Sequence, residues 1–145
     1  MPGIVVGVDG SASGRRALDW AMREAAAHRA PLTVVAVHEV TKSYWGRSPV
    51  IGPADASMLA DLRQAAEEMT RAAESELGDA RPASVNLRVV SGFVVKELLD
   101  AAQDADLIVI GSRGEGGLAR LVMGSVSHEV VQHAACPVTI VPRQK

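Results

Sequence analysis

The chain holds one cysteine, three lysines and no long apolar run. A single thiol, Cys136, excludes an internal disulfide, which fits a reducing compartment. No Gly-Lys pair occurs, and a phosphate loop of the Walker type needs one before its Ser or Thr. No stretch approaches the roughly 18 apolar residues a membrane helix requires. The start, MPGIVVGVDG, has neither a basic leader nor a long apolar core, so it reads as a strand and not a signal peptide. Basic excess is absent too. The formal net charge is −2, which argues against nucleic acid and against a charged membrane surface as partner. Internal repeats, low-complexity tracts and linkers are also missing. What remains is an ordinary globular composition, 48% apolar and 22% charged over 145 residues. It predicts one cytoplasmic domain over residues 1–145 with a core large enough to need no staples.

Strand-length apolar runs alternate with stretches of helical period. Ile4–Val8, Leu32–Val37, Val85–Val90, Leu107–Ile110 and Val138–Val141 read as five strands. Between them lie four helices. The first runs from Ser13 to about Ala27, with Ala17, Leu18, Ala21, Met22 and Ala25 on one face and an Asp19–Arg23 pair outside. The second runs from Ala56 to Leu77, with Met58, Leu59, Leu62, Ala66, Met69, Ala73 and Leu77 as its stripe and Gly78 as its stop. The third runs from Val94 to Gln103, with Val94, Val95, Leu98, Leu99 and Ala102 inward. The fourth runs from Gly124 to Ala134, with Val126, Val130, Val131 and Ala134 inward. Residues 41–54 show no period and read as a loop. Regular βα alternation predicts an open, mostly parallel α/β sheet with right-handed crossovers.

Five glycines crowd the fourteen residues from Gly111 to Gly124, between the fourth strand and the last helix. In open α/β sheets, ligands sit beyond the carboxyl ends of the strands where the strand order reverses. With an order of 3-2-1-4-5, this stretch and the Val8–Ser13 loop flank one crevice there. The helix start at Gly124, Ser125, Val126 and Ser127 carries unpaired N–H groups and partial positive charge, a setting suited to phosphate. Gly111 and Gly114 allow backbone to approach a ligand without a Cβ between. A tight turn followed by a serine helix cap is the plainer alternative.

The spacing Gly111, two residues, Gly114, nine residues, Gly124-Ser125 resembles the nucleotide signature of the ATP-binding branch of the universal stress proteins. IVVGVDGS, VVAVH, VVSG, DLIVIGSRG, GSVS and CPVTIVP resemble that family across essentially the whole chain. The resemblance implies a Rossmann-like five-stranded parallel sheet of order 3-2-1-4-5 with helices on both faces. It implies a homodimer through strand 138–141 and a site for ATP, alone or with Mg2+. Position by position it puts Asp9 and the backbone of Val37 at the adenine, and Ile110 and Gly111 near the ribose. Gly114, Gly124, Ser125, Val126 and Ser127 then hold the phosphates. The function it implies is a nucleotide-dependent binding or regulatory module in stress response, with no catalytic residue assigned. The competing class is a slow nucleotide phosphohydrolase or phosphotransferase. Phosphoryl transfer needs charge stabilisation and a positioned nucleophile, and the chain shows no phosphate-loop lysine and no identifiable general base.

The bare residues leave further options. Pro137 and Pro142 bracket an apolar last strand, and an apolar edge strand invites pairing. Arg113 and Arg120 suit phosphate geometry, or are solvated charges. Asp9 is a ligand contact or a cap of the first helix. Tyr44 and Trp45 cover a base or anchor their loop. His28 closes the first helix, where a cation suits the dipole. His128 and His133 resemble a zinc motif, but five residues of helix put them about 140° apart, on different faces. Cys136 reads as a small core residue or a nucleophile.

Overall fold

The fold is taken from a computed structural model, which describes residues 3–9, 11–39, 42–45, 48–51, 56–112 and 125–142. Strand β1 (Ile4–Val8) leads into helix α1 (Ala12–His28) and strand β2 (Pro31–Glu39). Strands β3 (Lys42–Trp45) and β4 (Ser48–Ile51) come next, then helix α2 (Ala56–Ser75). Strand β5 (Ser84–Gly92), helix α3 (Val94–Ala101), strand β6 (Leu107–Gly111), helix α4 (Ser125–His133) and strand β7 (Val138–Val141) complete the order. The main sheet runs β5-β2-β1-β6-β7 and all its pairings are parallel. Counting only its own strands, that is the expected 3-2-1-4-5. The order reverses between β1 and β6.

Helices cover both faces. On one, the α1 stripe of Ala17, Leu18, Ala21, Met22 and Ala25 is fully buried against Val6, Leu32, Val34 and Val109. Ala66 and Ala73 of α2 join the same cluster, with Leu62, Met69 and Leu77 partly buried against it. On the other face, Leu98 and Ala102 of the α3 segment and Val130 of α4 close over Val5, Val35, Ile108 and Ile110. Alternation along the central strands decides the split, since neighbouring side chains point to opposite faces. β5 lies at one edge and alternates visibly, with Ser84, Asn86 and Arg88 exposed while Val85, Leu87 and Val89 pack inward.

Several expectations are corrected. Residues 41–54 are not all loop, because β3 and β4 pair antiparallel from Lys42↔Ile51 to Trp45↔Ser48. Tyr, Trp, Val and Ile there are good strand formers, but four residues are too few to show a period. Met58 and Val131 sit on predicted inner stripes, yet are 49% and 46% exposed. Met58 stands in the first turn of α2 and Val131 in the last turn of α4. Asp19 pairs with Arg15, not Arg23, at 3.0 Å, and Arg15 also reaches Glu76 beyond α2 at 3.5 Å. That second acid ties two helices together, a tertiary preference that spacing alone cannot show. α2 ends at Ser75, ahead of the expected stop at Gly78.

Candidate functional site

The carboxyl ends of β1 and β6 lie side by side at the reversal of strand order, the place where ligands of open α/β sheets sit. Asp9 leaves β1 exposed to solvent. Its Oδ1 accepts from the Ser11 amide at 2.9 Å and from the Ser11 hydroxyl. Ser11 Oγ in turn accepts from the Gly14 amide at 3.0 Å, the bond of an N-cap. Ser11 is thus the cap of α1, and Asp9 orients the cap. A Cβ at Gly14 would stand 2.8 Å from Asp9 Oδ1, so the small residue lets the carboxylate lie over the first turn. Neither Ser11 nor Gly14 stood out in the sequence reading, although a serine three residues before the first glycine of a helix was the available signal.

β2 runs past β1. The last β1–β2 pair is Val8↔Ala36, while Val37, His38 and Glu39 continue opposite Val90, Ser91 and Gly92 of β5. Val37 is thus the first β2 residue beyond the β1 pairing, as Asp9 is the first residue beyond β1. The Val37 side chain packs partly buried on the α3/α4 face. Ile110 is 4% exposed and belongs to that same core, so only its backbone is placed to meet a ligand.

Gly111 ends β6 in contact with both helical layers. A Cβ there would come within 2.3 Å of Ser13 Oγ and within 2.8 and 2.9 Å of the Ser13 carbonyl oxygen and carbon. The space that the missing side chain opens is therefore filled by α1. On the other side, the Gly111 carbonyl accepts from Ser127 Oγ at 3.0 Å. Ser127 is buried in the first turn of α4, with its single hydroxyl hydrogen committed to the strand. Ser125 stands exposed one position into the helix and Val126 is partly buried. Beside them, a groove of about 570 Å3 runs between the first turns of α3 and α4, with Phe93, Val95, Leu99, Ser125, Val126 and Glu129 in its walls.

Asp9, Val37, Ile110, Gly111, Ser125, Val126 and Ser127 thus all lie at the carboxyl edge. Arg113, Gly114 and Gly124, the rest of the expected phosphate grip, lie outside the described residues, and so do Arg120 and the side chains of Tyr44 and Trp45. Away from the edge, His128 and His133 are exposed on α4, and His28 bonds Glu24 at 2.9 Å at the end of α1. Among the described residues no group of three or more His, Cys, Asp and Glu side chains gathers as a metal site. Burial, and then the charge of Asp106, push the Cys136 thiol up, against a backbone hydrogen bond with Ile108 that pulls it down. The half-buried sulfur therefore favours its neutral form, as a packing residue would.

A model of the universal stress protein family matches residues 2–142. A curated universal stress protein of Mycolicibacterium smegmatis is 33% identical over 139 residues, covering 96% of this chain and 47% of its own length. The chain thus spans about half the length of the curated relatives it matches. A solved universal stress protein in complex with cAMP is 27% identical, with a TM-score of 0.67 over 97% of this chain and 96% of that one. Another from Archaeoglobus fulgidus, in complex with dAMP, is 25% identical, with a TM-score of 0.60 over 97% of each chain. Strand order, a glycine-ended β6 facing a serine-led helix, and similarity along nearly the whole length all agree: the chain belongs to the universal stress protein family.

Proposed function

We propose that this chain is an adenine-nucleotide-binding module that takes ATP, alone or with Mg2+, and regulates partners in stress response as its nucleotide occupancy changes. The observation that supports this most is the convergence of four elements at the strand-order reversal. They are Asp9 after β1, the overhanging backbone of Val37, the glycine end of β6, and the open first turn of α4. The exposed Asp9 carboxylate and the backbone of Val37 beyond the β1 pairing are groups suited to the edge of a purine and its ribose. The α4 start offers amides and the Ser125 hydroxyl to phosphate. Two solved relatives carry cAMP and dAMP, both adenine nucleotides with one phosphate.

The triphosphate reading draws on the glycines at 111, 114 and 124 and on Arg113. A divalent cation, which takes oxygen ligands, would be held by the phosphates themselves. β7 forms the outer edge of the sheet, and all four of its residues are partly exposed. We assign it the homodimer contact, in a single 1–145 domain acting in the cytoplasm. No helix among the described residues is long and apolar enough to cross a membrane.

Three measurements test this reading. Mass spectrometry of small molecules released from freshly purified protein should find an adenine nucleotide. Titration with ATP and magnesium should give a micromolar dissociation constant, about 8 kcal/mol of binding free energy. Neither bound adenine nor heat of binding would remove the proposal. Turnover well above about one per minute, lost in Gly114→Val, would instead make the protein a phosphohydrolase. Gel filtration showing a monomer at micromolar concentration would remove the dimer.

A further inference from the structure

Gly111 touches α1 through its missing side chain and α4 through its carbonyl, and those helices lie on opposite faces of the sheet. We propose that Ser13, Gly111 and Ser127 form a pin through the carboxyl edge that sets the spacing between the α1 and α4 starts, and that Gly111 and Ser127 serve nucleotide binding as positioning residues without touching the ligand. The inference rests on the adenine-nucleotide reading of the crevice.

Three observations carry it. The first is the Gly111–Ser13 approach, which involves backbone atoms of Ser13 and not only its hydroxyl. A rotamer change of Ser13 cannot make room for a side chain at 111, so α1 and β6 are held at a fixed distance. The second is burial. Ser13 is 6% and Ser127 3% exposed, too enclosed for either hydroxyl to serve a solvent-side phosphate. The third is the direction of the Ser127 bond. A hydroxyl has one hydrogen, and that hydrogen goes to the Gly111 carbonyl, so no hydrogen is left to donate to an anion. The oxygen lone pairs that remain are acceptors, which phosphate oxygens repel.

The consequence reaches both halves of the site. Asp9 is fixed to the α1 cap through Ser11, α1 is fixed to Gly111 through Ser13, and Gly111 is fixed to the α4 start through Ser127. The adenine side and the phosphate side of the crevice therefore share one spacer. Losing the Ser127 hydroxyl loosens that shared spacer for any ligand seated at the carboxyl edge, whether or not it carries phosphate. A direct phosphate contact would instead penalise phosphate-bearing ligands alone.

The test uses Ser127→Ala, which removes one hydroxyl and leaves the backbone untouched. Amide hydrogen exchange is measured without ligand at Glu129, Val130 and Val131, whose amides close the first turns of α4. Affinity for adenosine and for ATP with magnesium is followed by titration, read by calorimetry and by amide chemical shifts of Ser125 and Val126. A pin predicts exchange faster by roughly three- to tenfold, the size of one net hydrogen bond. It predicts equal fold losses of affinity for adenosine and ATP, with the Ser125 and Val126 shifts at saturation unchanged. Unchanged exchange, with affinity lost for ATP alone, would overturn the pin and make Ser127 a phosphate ligand. If the unaltered protein binds neither molecule, the nucleotide reading fails, while faster exchange in the variant still shows the structural pin.

Discussion

The two faces of the sheet are built to different depths. On the α1/α2 face, a 17-residue and a 20-residue helix cover a cluster with fourteen buried residues among those described. On the α3/α4 face, helices of eight and nine residues cover seven. Their ends differ in kind as well. α1 starts on a serine cap, whereas α3 starts after Phe93 with no side-chain cap bond. The deep face holds the fold. The shallow face presents two short helix starts and an open groove beside the candidate site. Binding regions are drawn from the less stable parts of a fold because ligands must enter and loops must adjust. Pushing stability onto one face frees the other for chemistry.

The comparison breaks first at the core. Leu18→Ala on the deep face should cost about 2–5 kcal/mol in chemical denaturation, because Leu18 is fully buried. Val130→Ala, its fully buried counterpart on the shallow face, removes less and should cost about 2 kcal/mol. A loss at Val130 as large as that at Leu18, from the smaller side chain, would show that the shallow face is the more tightly built. Next comes the residue joining them. Gly111→Ala forces a Cβ against Ser13 backbone and should destabilise by about 1–3 kcal/mol, the usual range for overpacking. It should also weaken nucleotide binding, which calorimetry on the folded variant would measure.

Smaller effects sharpen the contrast at helix ends. Ser11→Ala removes the α1 cap and should cost about 1 kcal/mol, seen as a lower denaturant midpoint. Arg29 closes α1 at φ 52°, a left-handed conformation that favours glycine. Arg29→Gly should therefore raise stability by roughly 0.5–1 kcal/mol on the same assay. The smallest effect belongs to the shallow face. Lys96 bonds Asp100 at 2.7 Å, and that bond, followed by the Asp100 charge, raises the ammonium pKa above 10.5. Its folded value is raised, so its contribution is complete at neutral pH and is lost as pH climbs through the raised value. Both groups are largely in solvent, so Lys96→Gln should leave the melting temperature almost unchanged at pH 7, with any difference vanishing in strong alkali.

Much of this architecture was legible in the chain. The five strands of the main sheet, the parallel pairing expected from βα alternation, the α1 stripe residue by residue, and the strand order implied by the family resemblance all appear in the structure. A 17-residue helix repeats its pattern nearly five times, so periodicity is a strong signal there. A nine-residue helix repeats it twice, and Val131 shows how one residue then strays. The β3–β4 hairpin escaped for the same reason. At the site, the family resemblance put Asp9, Gly111 and Ser127 at the ligand, while the bare residues left Asp9 open as a ligand contact or a cap of the first helix. The structure shows Asp9 bonding the α1 cap, Gly111 packed on Ser13, and Ser127 bonded to β6. Those partners are near in sequence for Asp9 and distant for the other two.

Apolar period, turn residues and the clustering of glycine are properties of neighbouring positions, and they determined the element order, the layered class and the edge where a site should form. Which glycine makes room for a helix and which hydroxyl closes onto a strand depends on residues well separated in the chain coming together, Gly111 with Ser13 and Ser127 with Gly111. Only the assembled sheet decides that, because short-range preference carries no information about which surfaces will meet.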